Sequence, residues 1–335
     1  MKLQTPVEIP NDDFKIGLQD RIIVMGSCFA EHIGRHLEDY KFSCVTNPFG
    51  VLYNPESIRL ALSVIANLSE GKPYPQSYFF QSGGMWHSWL HSSLFSGTSL
   101  GKCKETIAAA LHDIVPTFRQ TYAIILTFGT NICYQLKEKG IVVGNCHRQP
   151  AHLFEEKALG VNDIVASYTS LLNSLFAALP QLRILFTISP YRYQKYGMHK
   201  SQLSKATLQL AVDELVKKYP HRCYYFPSYE IILDELRDYR FYDEDMLHPS
   251  EQAINYVAER FSSYAFDEKA QAFLAEWLPI KRAFAHRPLH PESEEYRIFI
   301  EKLNNKIIEL IKKYPNLAFQ KEQSEIESLL KQFLR

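Results

Sequence analysis

The hydrophobic pattern of the chain alternates between short apolar runs and longer amphipathic segments. Residues 21–25 (RIIVM) form an apolar run that stops at Gly26, which predicts a buried strand. Apolar residues then recur every four positions from Phe29 to Leu37, as is typical of an amphipathic helix. Gly26 and Ser27 are therefore predicted to lie on a tight strand-to-helix turn, where free backbone N–H groups point at whatever binds there.

The same alternation continues to about residue 265. Strands are also predicted at 122–128, 141–143, 183–188 and 222–226, and helices at 55–69, 104–115, 161–178, 201–218, 228–237 and 250–264. Residues 70–102 are aromatic, have no clear period and are predicted to form a long loop. Strands that alternate with helices predict a three-layer α/β/α fold with a mostly parallel sheet.

Beyond residue 265 the pattern is helical only. Helices are predicted at 267–278, 292–314 and 322–334, with a linker at 281–291. Pro279 is expected to end the first of them. We therefore predict a catalytic domain at 1–265 and an α-helical extension at 266–335. These helices can pack on the preceding domain, on each other or across a subunit contact.

Composition excludes several classes of function. The 335 residues carry 37 basic and 37 acidic side chains without a basic block, which argues against a nucleic-acid partner. No apolar run reaches the 18 or more residues of a membrane span. The first ten residues are too polar for a signal peptide, so a cytoplasmic location is expected.

No signature of a metal or cofactor site is found. The six cysteines have no C-x-x-C spacing, which indicates free thiols in a reducing compartment. Motifs of the H-E-x-x-H, G-x-x-x-x-G-K and G-x-G-x-x-G types do not occur in the sequence, and Cys146 and His147 are adjacent, a poor geometry for joint ligation. We therefore expect neither a metal nor a cofactor.

Two local patterns suggest nucleophilic catalysis, and each also has a structural explanation. Asp245 and His248 are three positions apart, which lets a carboxylate fix the tautomer of an imidazole. Alternatively, Pro249 begins a helix and His248 only caps it. Ser27 follows the first strand and is either a nucleophile or a helix N-cap.

Residues 26–30 spell Gly-Ser-Cys-Phe-Ala, and further phrases extend the pattern over about residues 20–262. These phrases are NPFGVLYNP (47–55), WHS (86–88), HSSLFS (91–96), VVGNCH (142–147), SKA (204–206) and YFPSYEI (225–231). The chain in this respect resembles the GSCFA family, a branch similar to the SGNH (GDSL-type) hydrolases. The resemblance implies a flavodoxin-like three-layer SGNH-hydrolase fold and a serine–aspartate–histidine triad.

The resemblance also assigns roles to individual residues. Ser27 would be the nucleophile, His248 its base, and Asp245 the group that holds His248. The oxyanion hole would consist of the Ser27 N–H, the Gly50 N–H and the Asn131 side chain. Gly83 and Gly84 are less favoured alternatives to Gly50.

The match to the SGNH pattern is incomplete at two positions. Ile132 replaces the aspartate of the G-x-N-D block that contains Asn131, so a plain turn after the strand is the alternative there. Tyr193 stands where members of the family more often have histidine.

Several other residues are predicted to contact the substrate. A stacking wall can form from Trp86, His87, Trp89 and His91, or these residues simply pack within their loop. His147 can contact the substrate or be a buried, hydrogen-bonded histidine. Arg192 can clamp an anionic group or form a structural ion pair. Cys28 is expected to be a core cysteine, because the helix turns its side chain away from that of Ser27.

Together these observations predict a serine esterase or acyl hydrolase that acts on O-acyl esters, acetyl esters in particular. The expected substrate is a carbohydrate or a polar small molecule. The alternatives are an O-acyltransferase with the same triad, a catalytically silent carbohydrate-binding protein, and a scaffold whose C-terminal helices recruit a partner. The sequence does not indicate an oligomeric state.

Overall fold

The computed structural model describes residues 5–334. The strands of this part are β1 (Arg21–Gly26), β2 (Ser43–Thr46), β3 (Phe79–Ser82), β4 (Met85–Ser88), β5 (Thr121–Phe128), β6 (Ile132–Leu136), β7 (Val142–Val143), β8 (Phe154–Ala158), β9 (Arg183–Ile188) and β10 (Cys223–Phe226). The helices are α1 (Cys28–Asp39), α2 (Pro55–Ser69), α3 (Leu100–Leu111), α4 (Val161–Ala178), α5 (Met198–Lys218), α6 (Ser228–Glu230), α7 (Glu251–Ala265), α8 (Glu268–Phe284), α9 (Glu294–Lys313) and α10 (Gln320–Lys331).

A five-stranded parallel sheet forms the centre of the molecule. Its strand order is β2-β1-β5-β9-β10, the flavodoxin-like arrangement. Pairing of β1 with β5 places Gly26 opposite Thr127 at the carboxyl end of both strands. The predicted α/β fold with a parallel sheet and a C-terminal helical extension is confirmed.

Both faces of the sheet are buried, because successive residues of a strand point to opposite faces. Ile23 and Met25 of β1 pack into one apolar cluster with α2, α4 and α5. Ile22 and Val24 pack into a second cluster with α1 and α7 to α10. The successive residues from Ile22 to Met25 of β1 are therefore all apolar, as expected for a parallel strand that is covered on both faces.

The C-terminal helices belong to the second of these clusters. Ile307 and Phe319 are buried in it beside residues of α1 and β1. The Trp277 indole N–H donates to the Asp39 carbonyl at 2.9 Å, and the Lys41 ammonium lies 2.6 Å from Glu322. The helices therefore pack on the preceding part of the chain and on one another.

The structure corrects several predicted element boundaries. β2 precedes the N-P-F-G turn and was not predicted, because its four residues carry no clear alternation. A β3–β4 hairpin lies within the predicted loop 70–102, and β6, β7 and β8 form a small antiparallel sheet. Only α6 and a π-helical turn at Ile231–Glu235 occupy the predicted helix 228–237.

Pro279 does not end helix α8, which continues to Phe284. An interior proline removes one hydrogen bond and costs about 3 kcal/mol. The buried face of this helix, which includes Phe273, Trp277 and Ile280, offsets that cost. The division at residue 265 stays a prediction.

No helix between residues 5 and 334 combines the length and the apolar composition that crossing a bilayer requires.

Candidate active site

The turn that carries Ser27 lies between the two strands where the order of the sheet reverses. Helix α1 leaves β1 toward one face, whereas α2 packs on the other, so the gap above β1 and β5 is a topological switch point. Gly26 closes the turn with φ of +147°, and a Cβ there would lie 2.2 Å from the Thr127 carbonyl oxygen. Only glycine allows the chain to pass this close to β5.

Ser27 is the N-cap of α1 and is also the predicted nucleophile. Its Oγ accepts a hydrogen bond from the Phe29 N–H at 3.3 Å, and its own N–H donates to the Thr127 carbonyl at 3.2 Å. The residue is only 1% exposed. Capping and nucleophilic roles are compatible, since both require the hydroxyl at the amino end of the helix.

The loop before α7 holds Asp245 and His248 as a hydrogen-bonded pair. Asp245 Oδ2 lies 2.5 Å from His248 Nδ1, and Asp245 Oδ1 accepts the backbone N–H groups of Leu247 and His248. The hydrogen bonds from the His248 N–H, the His248 ring and the Leu247 N–H lower the pKa of Asp245 to about 2. Asp245 is therefore a carboxylate at neutral pH and fixes the imidazole through Nδ1.

His248 is not the cap of helix α7. Ser250 is the N-cap, because its Oγ accepts a hydrogen bond from the Ala253 N–H at 3.4 Å. The side chain of His248 is 45% exposed. Its Nε2 is thus available for proton transfer.

The Tyr191 side chain packs against His248. The Tyr191 ring lies 4.3 Å from the His248 ring. Burial, and after it the charge of Asp245, raises the pKa of Tyr191. Ser27 and His248 do not form a hydrogen bond in the structure of residues 5–334.

Tyr53 lies near the Ser27 turn. The Tyr53 carbonyl accepts the N–H groups of Gly129 and Thr130 at 2.8 and 3.0 Å. A Cβ on Gly129 would lie 3.5 Å from the Ser27 Cβ, which places Tyr53 next to the serine. Tyr53 is 40% exposed.

The predicted oxyanion donors already have hydrogen-bond partners. The Gly50 N–H donates to the Asn47 carbonyl at 2.7 Å, within a turn that its φ of +77° allows. The Asn131 side-chain amide donates to the Leu159 carbonyl at 2.8 Å. Neither residue is therefore placed as the prediction requires, although the Asn131 amide keeps a second N–H.

The side-chain amide of Asn47 is hydrogen-bonded to the Gly26–Ser27 turn. Its Oδ1 accepts the Gly26 N–H at 2.9 Å. Its Nδ2 is buried and has no hydrogen-bond partner within the described part of the chain. An unpartnered buried donor is costly, so a native protein retains one mainly where it has a function.

The aromatic and histidine residues of 86–91 are mostly packed, as the alternative explanation stated. His91 is completely buried, with its ring stacked on Phe49 and its Nδ1 3.0 Å from Ser88 Oγ. His147 is buried too, and its ring bonds the Ser88 carbonyl and Ser93 Oγ. Both rings are packed against protein groups, and contact of His91 or His147 with a substrate stays a prediction.

Trp86 and His87 are half-buried side chains of strand β4. The His87 ring bonds Ser96 Oγ at 2.7 Å and lies 4.8 Å from the His147 ring. The Trp86 backbone pairs with Gly97. These contacts describe loop packing, and substrate binding by either residue stays a prediction.

The burial of His91 predicts a pH-dependent stability. Burial, and next to it the charge of His147, lowers the pKa of His91 to about 3 from an ordinary value of 6.5. The unfolded chain therefore binds the extra proton as pH falls from 6.5 to 3, and the folded state loses about 1.4 kcal/mol of stability per pH unit.

His91→Gln should remove this contribution from the slope of unfolding free energy against pH, measured by urea denaturation. His112, whose side chain is 82% exposed, supplies the control His112→Gln with an unchanged slope. An unchanged slope in His91→Gln would contradict the assignment.

A sequence model of the GSCFA family matches residues 21–261. The chain belongs to the GSCFA family. A second model, that of the GSCFA domain protein C-terminal domain, matches residues 277–332. The resemblance found in the sequence is therefore confirmed, and the family's own models cover both the α/β part and the C-terminal helices. No curated protein sequence matches this GSCFA protein.

Two solved structures are similar to the GSCFA protein at low identity. One is provisionally described as a platelet activating factor from Streptococcus pneumonia, with 14% identity and a TM-score of 0.37, covering 73% of this chain and 84% of that one. The other is the acetyl xylan esterase Est2A from Butyrivibrio proteoclasticus, with 12% identity and a TM-score of 0.35, covering 77% of this chain and 65% of that one.

Lys205 of this GSCFA protein is a site residue that the sequence analysis did not single out. It is fully buried, and its Nζ donates to the Gly129 and Ser189 carbonyls, both at 2.7 Å. It thus bridges the carboxyl ends of β5 and β9. The sequence does contain a signal for its burial. Lys205 lies on the same helical face as Leu208 and Val212, where an apolar residue is expected.

Arg192 and Cys28 complete the surroundings of the pair. The Arg192 guanidinium donates to the Met246 carbonyl at 3.1 Å and lies over the rings of Tyr239 and Tyr242. The structural ion pair considered for Arg192 does not occur within residues 5–334. Burial raises the pKa of Cys28, which keeps it a thiol, as a packed cysteine should be.

Across residues 5–334, no cluster of three or more histidine, cysteine, aspartate or glutamate side chains is arranged to hold a metal ion.

Proposed function

We propose that this GSCFA protein is a serine esterase that cleaves O-acyl esters, acetyl esters in particular, of a carbohydrate or polar small molecule. The observation that supports it best is the Asp245–His248 hydrogen bond of 2.5 Å. A half-exposed imidazole held through Nδ1 by an ionised carboxylate is a general base. The Arg192 N–H, just after β9, donates to the Leu247 carbonyl at 3.1 Å, so this loop lies at the carboxyl edge of the parallel sheet, where Ser27 follows β1.

In this mechanism, His248 Nε2 removes the proton of the Ser27 hydroxyl as Oγ attacks the ester carbonyl carbon. Asp245 stabilises the imidazolium that forms. Ser27 Oγ must leave its long bond to the Phe29 N–H to attack the ester. Catalytic hydrogen bonds often shorten only when the substrate is bound.

The oxyanion is proposed to lie at the amino end of α1. The N–H of Cys28, the first helical residue, has no acceptor within the helix, and the helix dipole favours negative charge there. Asn47 Nδ2, buried and unpartnered, takes the role that was predicted for Asn131. The Ser27 N–H remains a donor, since its bond to Thr127 is long at 3.2 Å.

Collapse of the tetrahedral intermediate breaks the bond from the carbonyl carbon to the alcohol oxygen. The leaving alcohol takes the proton from His248, and the acyl group stays on Ser27. Attack by water releases the acid, whereas attack by an acceptor hydroxyl would make the protein an O-acyltransferase. Hydrolysis of p-nitrophenyl acetate with and without added sugar acceptors distinguishes these outcomes.

A fluorophosphonate probe tests the proposal, because it labels only an activated serine. The wild type should be labelled, Ser27→Ala should not, and His248→Ala should react much more slowly. Ser63, a half-buried serine of α2, supplies the control Ser63→Ala with normal labelling. A wild type that stays unlabelled, or equal labelling of Ser27→Ala, would refute the esterase.

A further inference from the structure

A small pocket lies beside the Asp245–His248 pair, on the far side of Tyr191. It is bounded by the end of β9, the first turns of α5, the turn after α6 and the loop before α7. The polar residues that line it are Tyr191, Arg192, Ser201, Gln202, Lys205, Tyr229 and Tyr242. Because the Tyr191 ring also contacts His248, the pocket and the catalytic pair share a wall.

The only charged side chains of this pocket are the cations Arg192 and Lys205. Neither forms an ion pair with a carboxylate in the part of the chain that is described. Lys205 uses two of its three N–H donors on the Gly129 and Ser189 carbonyls. Arg192 has five N–H donors and uses one on the Met246 carbonyl at 3.1 Å and one on the Met198 sulfur at 3.9 Å. Both cations thus have donors to spare.

A buried charge without a counter-ion is unfavourable, so its retention requires an explanation. Burial lowers the pKa of Lys205 to about 7 from its ordinary value of 10.5. An anion in the pocket would offset this cost for Lys205. It would also find a guanidinium whose orientation is fixed by the Tyr239 and Tyr242 rings, 5.6 and 5.3 Å away.

We propose that this pocket binds a carboxylate of the substrate through Arg192 and Lys205, and that the enzyme therefore acts on O-acyl esters of uronic acids. The inference rests on the proposed esterase function and specifies its substrate class. Arginine binds a carboxylate through two parallel hydrogen bonds, which gives the substrate an orientation as well as an affinity.

The size of the pocket determines what enters it. Its volume of about 20 Å³ holds one water-sized group. The end of a carboxylate fits, but a sugar ring does not. The ring must therefore lie outside, against Tyr191, and this directs an acylated hydroxyl of the same sugar toward His248 and Ser27. Tyrosine rings suit this contact because they offer an apolar face with a polar edge.

Matched substrates test the proposal. O-acetyl glucuronic acid and O-acetyl glucose differ at the carboxylate, so their kcat/KM ratio isolates the pocket. We expect the wild type to prefer the acidic ester by about 10- to 100-fold, the range of a charge-assisted pair. Arg192→Gln should reduce this ratio to near one. Arg240, an exposed arginine outside the pocket, supplies the control Arg240→Gln with an unchanged ratio.

The kcat/KM ratio of the two esters also distinguishes a lost carboxylate contact from a structural disturbance of the site. Loss of the Arg192 bond to Met246 can disturb the loop that holds His248, but this would slow both esters equally. Equal slowing with the ratio retained would overturn the proposal, as would a wild-type ratio near one. The acetyl ester of glucose 6-phosphate is a third substrate, and a stronger preference for it would replace carboxylate by phosphate as the bound group.

Direct binding keeps this inference separate from the esterase itself. D-glucuronate should raise the thermal unfolding midpoint of the wild type, D-glucose should not, and Arg192→Gln should lose the effect. Glucuronate binding without turnover of any ester would leave the pocket supported and the esterase refuted. Turnover of esters without glucuronate binding would give the opposite result.

Discussion

Replacing Ser27 by alanine should lower kcat for p-nitrophenyl acetate by roughly 10⁴- to 10⁶-fold, with little change in the folded state. In the proposed mechanism this hydroxyl forms the acyl–enzyme bond, so without it only binding and oxyanion stabilisation would remain. The helix cap lost with Ser27 costs only about 1 kcal/mol. Steady-state kinetics and thermal denaturation of the same samples would separate the two effects.

His248→Ala is expected to cost about as much as Ser27→Ala, and the double variant no more than either one. Residues of one catalytic unit are strongly non-additive, because each is useless without the other. Ser174→Ala, at an exposed serine of α4, is the matched control and should keep wild-type rates. If the losses in Ser27→Ala and His248→Ala multiply, or if Ser27→Ala remains active, the triad is wrong.

The parts of the site that could be predicted from the sequence are those that depend on local geometry. A strand followed directly by a helix fixes where Ser27 lies, whatever the rest of the fold does. A three-residue spacing is short enough for Asp245 to reach His248 within one loop. Alternation of strands and helices then requires a parallel sheet, whose carboxyl ends bring the two segments to one edge.

The oxyanion donors could not be predicted in this way, because their partners are distant in sequence. The Asn131 amide donates to the Leu159 carbonyl, which follows all three strands of the small antiparallel sheet in the chain. Asn47 meets the Gly26 N–H only because β2 pairs with β1. A turn glycine and an asparagine read from one sequence do not reveal which donor stays unpaired.

The burial of individual side chains could not be predicted from the sequence either. His91 and His147 have the residue type of a catalytic or binding group, but they are packed under the β3–β4 hairpin, which was not predicted. Lys205 has the residue type of a surface group and is completely buried. In both cases tertiary packing determines whether the side chain is buried. An amphipathic pattern indicates which face of a helix points inward, but it does not show how deeply that face is covered.

Gly26→Ala should be the most destabilising single substitution near the site, at about 3 kcal/mol or more. The added Cβ would lie 2.2 Å from the Thr127 carbonyl oxygen and 2.9 Å from its carbonyl carbon, both backbone atoms of the central strand β5. Neither atom can move without breaking the β1–β5 pairing that extends to the Ser27 N–H. In addition, φ of +147° is strained for any residue with a side chain.

Gly71→Ala separates the clash from the backbone strain. Gly71 also has a positive φ, of +81°, but a Cβ there would meet no atom within 4 Å. Its substitution should cost only about 1 to 2 kcal/mol, the ordinary penalty for a left-handed residue. Urea denaturation of both variants measures the difference. Equal losses in the two would show that the close approach of β1 to β5 is not what requires glycine at position 26.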